Sequence, residues 1–207
     1  GVVQPVEYVS KSVLIDPYIL GLWLGDGCKS QPTLATGDIE IRDYISLKYI
    51  CSYRELQKEC RDGSKGQAYW QIYINDFIQQ LRHYDLLGNK HIPDDYLYND
   101  IHIRTRLLNG LMDSDGYVDK ESAYISFSRD NLIIQTRQLA CSLGYKCSKL
   151  RSKIPFYTDE DGQRVYCKEH YVLNLRGLTC PFTLQRKIEA WEKNKYKRLQ
   201  NDYYRLI

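Results

Sequence analysis

Two aspartates stand at equivalent points of an internal repeat. Aligning Asp16-Pro-Tyr-Ile-Leu-Gly-Leu-Trp-Leu-Gly-Asp-Gly27 with Thr105-Arg-Leu-Leu-Asn-Gly-Leu-Met-Asp-Ser-Asp-Gly116 at a single offset of 89 residues matches Gly21 with Gly110, Leu22 with Leu111, Asp26 with Asp115 and Gly27 with Gly116. A carboxylate in the last turn of a helix faces the negative end of the helix dipole, at a cost of roughly 0.3–1 kcal/mol, and a second carboxylate nearby adds repulsion. A bound divalent cation would remove both penalties. One Asp-Gly pair is an ordinary turn, but its recurrence in register marks Asp26 and Asp115 as candidate metal ligands whose hard oxygens suit Mg²⁺, with Mn²⁺ as a substitute.

Each repeat reads as a short helix with its own punctuation. Asp16 is a good N-cap and Pro17 suits the first helical position, while Gly27 fits a left-handed residue that stops the helix; Thr105 and Gly116 are expected to do the same for the second copy. Small residues four apart, at 21/25 and 110/114, let two backbones approach closely. Parallel packing of the two helices would bring Asp26 and Asp115 together.

The pattern downstream repeats as well. The first half reads as a strand near 33–36, a long helix near 39–59, a strand at 67–74 and a helix near 76–87 ended by Gly88. The second reads as a strand at 123–128, a helix near 130–143 ended by Gly144, a hairpin turning at Asp161-Gly162 and a final helix near 183–199. An α+β unit used twice follows, with halves at 1–103 and 104–207.

At 207 residues and 43% hydrophobic content the chain can bury one sizeable core or two small related ones. No run approaches the roughly 18 apolar residues of a membrane span and no secretory leader is visible, so an intracellular, non-secreted protein is expected. The only methionine is Met112, which makes Gly1 the start of a processed chain or fragment. Seven cysteines without a Cys-x-x-Cys pair read as thiols; Cys167 and His170 have ligand-like spacing but no second pair, which argues against zinc.

Charge is divided unevenly. Residues 1–103 are net −4 and 104–207 net +7, with 13 basic against 6 acidic residues in 146–198. In the strand 67–74, Gln67, Tyr69, Gln71 and Tyr73 alternate with Ala68, Trp70, Ile72 and Ile74, and Lys65 lies just ahead. On a longer strand of the second half Arg164, Tyr166, Lys168, His170, Asn174 and Arg176 share the even face, and the hairpin partner carries Lys149, Arg151 and Lys153. A two-stranded ribbon fits the major groove, where Arg or Lys reads guanine, Gln or Asn reads adenine, and flanking cations hold phosphates. The expected partner is double-stranded DNA.

The two repeats resemble the paired LAGLIDADG motifs of single-chain homing endonucleases. Leu108-Asn-Gly-Leu-Met-Asp-Ser-Asp-Gly116 is the closer copy; Ile19-Leu-Gly-Leu-Trp-Leu-Gly-Asp-Gly27 has Leu24 in place of the earlier aspartate but keeps the eighth-position acid. Pro17-Tyr-Ile-Leu-Gly-Leu-Trp and Leu139-Ala-Cys-Ser-Leu-Gly-Tyr145 are similar to intein-borne members, and so is Asn201-Asp-Tyr-Tyr204, where an intein chain re-enters its splicing domain. The resemblance implies two αββαββα units with the motif helices packed at the centre and a β-sheet saddle over DNA. It also implies a monomer that acts as a pseudo-dimer, making metal-dependent double-strand breaks in a long site.

Further site residues follow from the resemblance. Catalysis falls to Asp26, Asp115 and one lysine per half, and the main-chain carbonyls of Gly25 and Ser114 join the metal ligands. Lys90, before Ile92-Pro93, matches the family's first lysine, and in Cys180-Pro-Phe-Thr-Leu-Gln-Arg-Lys187 the second is Lys187, with Arg186 competing for the role. Residue 1 is Gly rather than a nucleophilic Cys or Ser, and the end lacks His-Asn, so cutting without protein splicing is expected. The rival on the same fold is a non-cleaving nucleic-acid binder, a maturase or transcription regulator.

Overall fold

The computed structural model describes residues 4–59, 65–159 and 162–193. The first half runs α1 (Pro17–Asp26), β1 (Thr33–Thr36), α2 (Ile39–Lys48), β2 (Cys51–Glu59), β3 (Lys65–Ile74), α3 (Phe77–His83) and the single turn α4 (Asp94–Leu97). The second runs α5 (Ile101–Asp115), β4 (Tyr117–Asp119), β5 (Ser122–Phe127), α6 (Asp130–Ser142), β6 (Lys146–Cys147), β7 (Arg151–Lys153), β8 (Phe156–Thr158), β9 (Arg164–Tyr166), β10 (His170–Arg176) and α7 (Gln185–Glu192). No described helix is long and apolar enough to cross a membrane.

α1 and α5 form the centre. Tyr18 to Leu24 of α1 are all buried, as expected of a helix that is apolar all round. The helices run parallel and touch through glycine: a Cβ on Gly21 would lie 2.9 Å from the Cα of Gly110, and one on Gly110 the same distance from the Cα of Gly21. At the N-terminus of α1, the Asp16 carboxylate accepts from the amides of Tyr18 (3.0 Å) and Ile19 (3.2 Å).

The punctuation of α5 differs from the repeat. Its N-cap is Asp100, which accepts from the Ile103 amide at 2.8 Å, and Thr105 lies inside the helix. The extra turn is anchored by the buried Arg104, whose guanidinium donates to the carbonyls of Asn99, Ser142 and Val6. A division of the chain at 103/104 therefore falls within α5. Gly27 and Gly116 are not left-handed; their φ values are −74° and −83°. What excludes a side chain there is the preceding turn: a Cβ would lie 2.6 Å from Trp23 Cγ and 2.8 Å from Met112 Cε.

Each half carries a main antiparallel sheet, ordered β1-β3-β2 in the first and β4-β5-β10-β6 in the second, where β7 also pairs with β10 and β8-β9 form a separate two-stranded ribbon. The expected helix 39–59 is instead α2 followed by β2. Tyr49 leaves helical geometry at φ −134° and ψ 148°, and its ring packs on Phe77. The aromatic and β-prone run that follows pairs with β3 from Cys51↔Ile74 to Gln57↔Ala68, so sheet pairing overrides the local helical spacing. The expected long basic strand is broken. β9 pairs only with β8, whereas β10 pairs with β5, β6 and β7, and 167–169 lie between in no strand. The final helix runs from Gln185 to Glu192, so Thr183, Leu184 and Lys193 of the expected span flank it; 194–199, with 201–204 and Asp161, lie outside the described residues.

Candidate metal centre and nucleic-acid interface

The C-terminal turns of α1 and α5 meet, and they carry the two aspartates. A Cβ on Gly25 would stand 2.8 Å from Asp115 Oδ2. Burial, and after it the Asp26 charge, raise the Asp115 carboxyl to about 6 against the pull of Lys90 and Lys187. Burial also raises Asp26, against the same two lysines. Two desolvated carboxylates at the negative ends of two helices are hard oxygen donors of the kind a divalent cation takes. Among the described residues no third His, Cys, Asp or Glu side chain joins the two aspartates in a metal-binding group.

Each helix end is also capped by a lysine. Lys90 Nζ donates to the carbonyls of Leu24 (3.1 Å), Gly25 (3.2 Å) and Gly27 (2.7 Å). Lys187 Nζ donates to those of Met112 (2.9 Å), Asp113 (2.6 Å) and Gly116 (2.7 Å), the repeat-equivalent end of α5. These carbonyls belong to the last turn and to the capping glycine after it, where backbone donors run short; that of Met112 also accepts from the Gly116 amide at 3.0 Å. Burial lowers both ammonium groups to about 8. Arg186 lies elsewhere: its guanidinium donates to both oxygens of Asp38 at 2.8 Å, so geometry separates it from its neighbour Lys187. The Ser114 hydroxyl donates back to the Gly110 and Leu111 carbonyls, and the side chain packs against Gly25 across the helix seam.

The two sheets each bury one face. In β10, Leu173 and Leu175 are core, and His170, Asn174 and Arg176 lie on the other side. The pairs His170↔Lys153 and Val172↔Arg151 put Arg151 and Lys153 on that same side, because directly opposed residues of a pair share a face. Lys149 is exposed just ahead of β7. Arg164 and Lys168 lie outside β10: Arg164 is on the β8–β9 ribbon with its guanidinium over Phe156, and Lys168 is in the break. Arg176 also donates to the buried Ser122 hydroxyl, at 2.9 Å. In the first half Lys65, Gln67, Tyr69 and Gln71 lie along β3, and Arg54 of β2 opposes Gln71 and donates to its Oε1 at 2.9 Å.

A family model described as homing endonuclease matches residues 91–201. The chain belongs to the LAGLIDADG homing endonuclease family. It is 31% identical over 152 residues to the replicative DNA helicase DnaB of Mycobacterium intracellulare, a match that covers 73% of this chain and 23% of the helicase. It is 24% identical to the homothallic switching endonuclease of Saccharomyces cerevisiae, over 84% of this chain and 34% of that protein. The chain thus spans about a third or less of the length of these relatives. Its fold resembles that of I-DmoI, crystallised in complex with DNA and Ca, at a TM-score of 0.52 and 12% identity over 86% of this chain and 96% of that one. The homing endonuclease I-WcaI bound to its DNA recognition sequence gives 0.50 and 12%, over 91% and 84%.

Several residues at this homing-endonuclease centre escape a reading of the sequence. Arg129 and Lys29 line a cavity of about 320 Å³ with Gly25, Gly27 and Lys90, and neither belongs to a motif. Asp113, the sixth motif position, is buried and holds the segment ahead of α7 through the Thr183 and Leu184 amides. Arg54 was hidden because its segment looked helical; only the pairing with β3 turns it onto the same face as Gln71.

Proposed function

We propose that the chain is a site-specific DNA endonuclease that makes metal-dependent double-strand breaks in a long recognition site. The observation that carries this reading is the pair of equivalent helix ends, each with one desolvated aspartate and one lysine bonded to the last-turn carbonyls. A protein that only bound DNA would gain nothing from burying two carboxylates beside each other, which disfavours the non-cleaving alternative. The short share of the helicase that is matched suits an endonuclease carried inside a host protein, as in an intein. A DNA substrate implies an intracellular place of action.

Asp26 and Asp115, with the main-chain carbonyls of Gly25 and Ser114, would hold Mg²⁺, with Mn²⁺ able to take its place. The ion supplies a water of lowered pKa and charge stabilisation at the phosphate. The Gly25 carbonyl has two lone pairs, so it can serve Lys90 and a cation together. Lys90 and Lys187 would each set a fixed positive charge beside one scissile phosphate, in a desolvated site where such a charge acts strongly. The chain alone would suffice, since both halves are present. Incubation with a genomic or randomised DNA pool plus Mg²⁺, followed by sequencing of the ends, tests the reading; paired breaks at one recurrent long site are expected, and an uncut pool would refute it.

A further inference from the structure

The two lysines reach equivalent positions from unlike backbones. Lys187 lies in the first turn of α7, whereas Lys90 sits in an irregular segment ahead of α4. A side chain from elsewhere in the fold holds each segment, and the two holders differ chemically.

On the second side the holder is Asp113, whose side chain is 1% exposed in residue terms. Its carboxylate accepts from the amides of Thr183 (3.1 Å) and Leu184 (3.3 Å), from the Thr183 hydroxyl, and from the Tyr18 hydroxyl (2.9 Å). Leu184 is the N-cap of α7, so Asp113, on the neighbouring helix, fixes the cap residue and the one before it and thereby sets where α7 starts. Lys187 follows three residues on, its amide bonded to the Leu184 carbonyl at 2.9 Å. The repeat-equivalent of Asp113 is Leu24, which has no polar atom. There Gln135 of α6 reaches across from the second half: its Oε1 accepts from the Ile92 amide at 2.8 Å and its Nε2 donates to the Ile92 carbonyl at 3.1 Å. A primary amide is suited to satisfying both backbone groups of one residue. Ile92 is fully buried and lies two residues from Lys90.

We infer that Asp113 and Gln135 are positioning residues, one for each lysine, so that separate devices set the cuts in the two DNA strands. The inference rests on the endonuclease reading. Each Nζ must keep three carbonyls in reach at once, and a misplacement of about 1 Å at a reacting centre can cost on the order of 100-fold in rate. The Arg186–Asp38 pair is a second tether on α7, but it is solvent-exposed on the arginine side and contributes little by itself.

The test is single-turnover cleavage by the full chain of its own site, each strand labelled separately, with Mg²⁺. Asp113→Asn should slow, by about 10- to 100-fold, the strand that Lys187→Met slows, and leave the other strand near wild type. Gln135→Met should instead slow the strand that Lys90→Met slows. Thr183→Val, which removes the hydroxyl donor but keeps the amide, should give a smaller bias in the same direction as Asp113→Asn. Binding measured in Ca²⁺ should be unchanged in all three. Equal slowing of both strands, in step with a loss of thermal stability, would mean a merely structural role and overturn the inference. If Asp113→Asn fails to fold, Thr183→Val and Gln135→Met decide: no strand bias in either overturns it. Wild type that cuts neither strand overturns the endonuclease reading and this inference with it, whereas wild type that cuts both beside variants without bias overturns the inference alone.

Discussion

Gly21 of α1 and Gly110 of α5 meet backbone to backbone, each at a point where a Cβ would stand 2.9 Å from the other's Cα. Neither atom is the end of a flexible side chain, so the helices themselves must separate to admit a methyl group. Gly21→Ala or Gly110→Ala should destabilise the fold by about 1–3 kcal/mol or more, read as a lower denaturant midpoint, and should move Asp26 away from Asp115. Gly37 is the control. A Cβ there meets nothing nearer than 3.8 Å, so Gly37→Ala should leave the midpoint within about 0.5 kcal/mol of wild type.

The carboxylates give a prediction with two signs. Asp26→Asn or Asp115→Asn should abolish double-strand cutting while leaving DNA binding nearly intact, since on the proposed reading each removes a metal ligand and no phosphate contact. Without metal the same change should stabilise. Burial raises Asp115 from 3.8 to about 6, so folding favours its neutral form: its contribution to stability is complete below 3.8 and is lost as pH rises through about 6. Asp115→Asn in EDTA should therefore unfold at a higher temperature than wild type at pH 7.5, by an amount on the order of 1 kcal/mol, and the advantage should vanish near pH 4. Mg²⁺ should raise the wild-type melting temperature at pH 7.5, less so as pH falls below about 6 because protons compete for the site. A variant that cuts normally in Mg²⁺ would refute the site assignment.

Lys90→Met and Lys187→Met should each slow cutting by one to several orders of magnitude, roughly the loss expected when a charge-stabilising group is removed. The slowed strand should differ between the two. Arg186→Met should cut both strands, because its guanidinium is engaged by Asp38 and points away from the helix end. If Lys187→Met cuts both strands at full rate while Arg186→Met fails, the roles of these neighbours are reversed.

The centre was legible in the sequence because it is built on a repeat. The glycines that let α1 and α5 touch, and the aspartates that their ends bring together, recur at one offset, and no other arrangement of the two helices joins all four. The lysines needed the family resemblance: their spacing to the motifs differs between halves, and only the fold shows that both end on carbonyls of the equivalent helix ends, with Leu24 and Gly27 matching Asp113 and Gly116. What stayed illegible depended on tertiary contact. The residues 51–59 have a helix-compatible apolar spacing, and β3 decides otherwise. Thr105 looks like a cap until the burial of Arg104 extends the helix beyond it. Gln135 carries no local signal at all, since its role exists only against Ile92.

The last prediction concerns where affinity for DNA arises. The second half is net +7 and the first net −4, and phosphate contacts dominate affinity. On the second sheet Arg151 and Lys153 are exposed and share a face with His170 and Asn174. On the first, Gln71 is held by Arg54, which fixes the amide and presents a cation beside it. The second half should therefore anchor the complex and the first should discriminate sequence. Each phosphate contact removed lowers the salt slope by about 0.9, so Arg151→Ala with Lys153→Ala should weaken binding strongly and flatten its dependence on salt. Gln67→Ala with Gln71→Ala should relax preference at one half-site with a smaller loss of affinity. Arg54→Ala should resemble that second pair, because it frees Gln71 to rotate. Arg164 and Lys168 lie off the main sheet, so their replacement should change the slope less than that of Arg151 and Lys153. Equal slopes for wild type and the Arg151/Lys153 double variant would mean that these side chains do not touch phosphate, and that DNA lies on another face of the sheet.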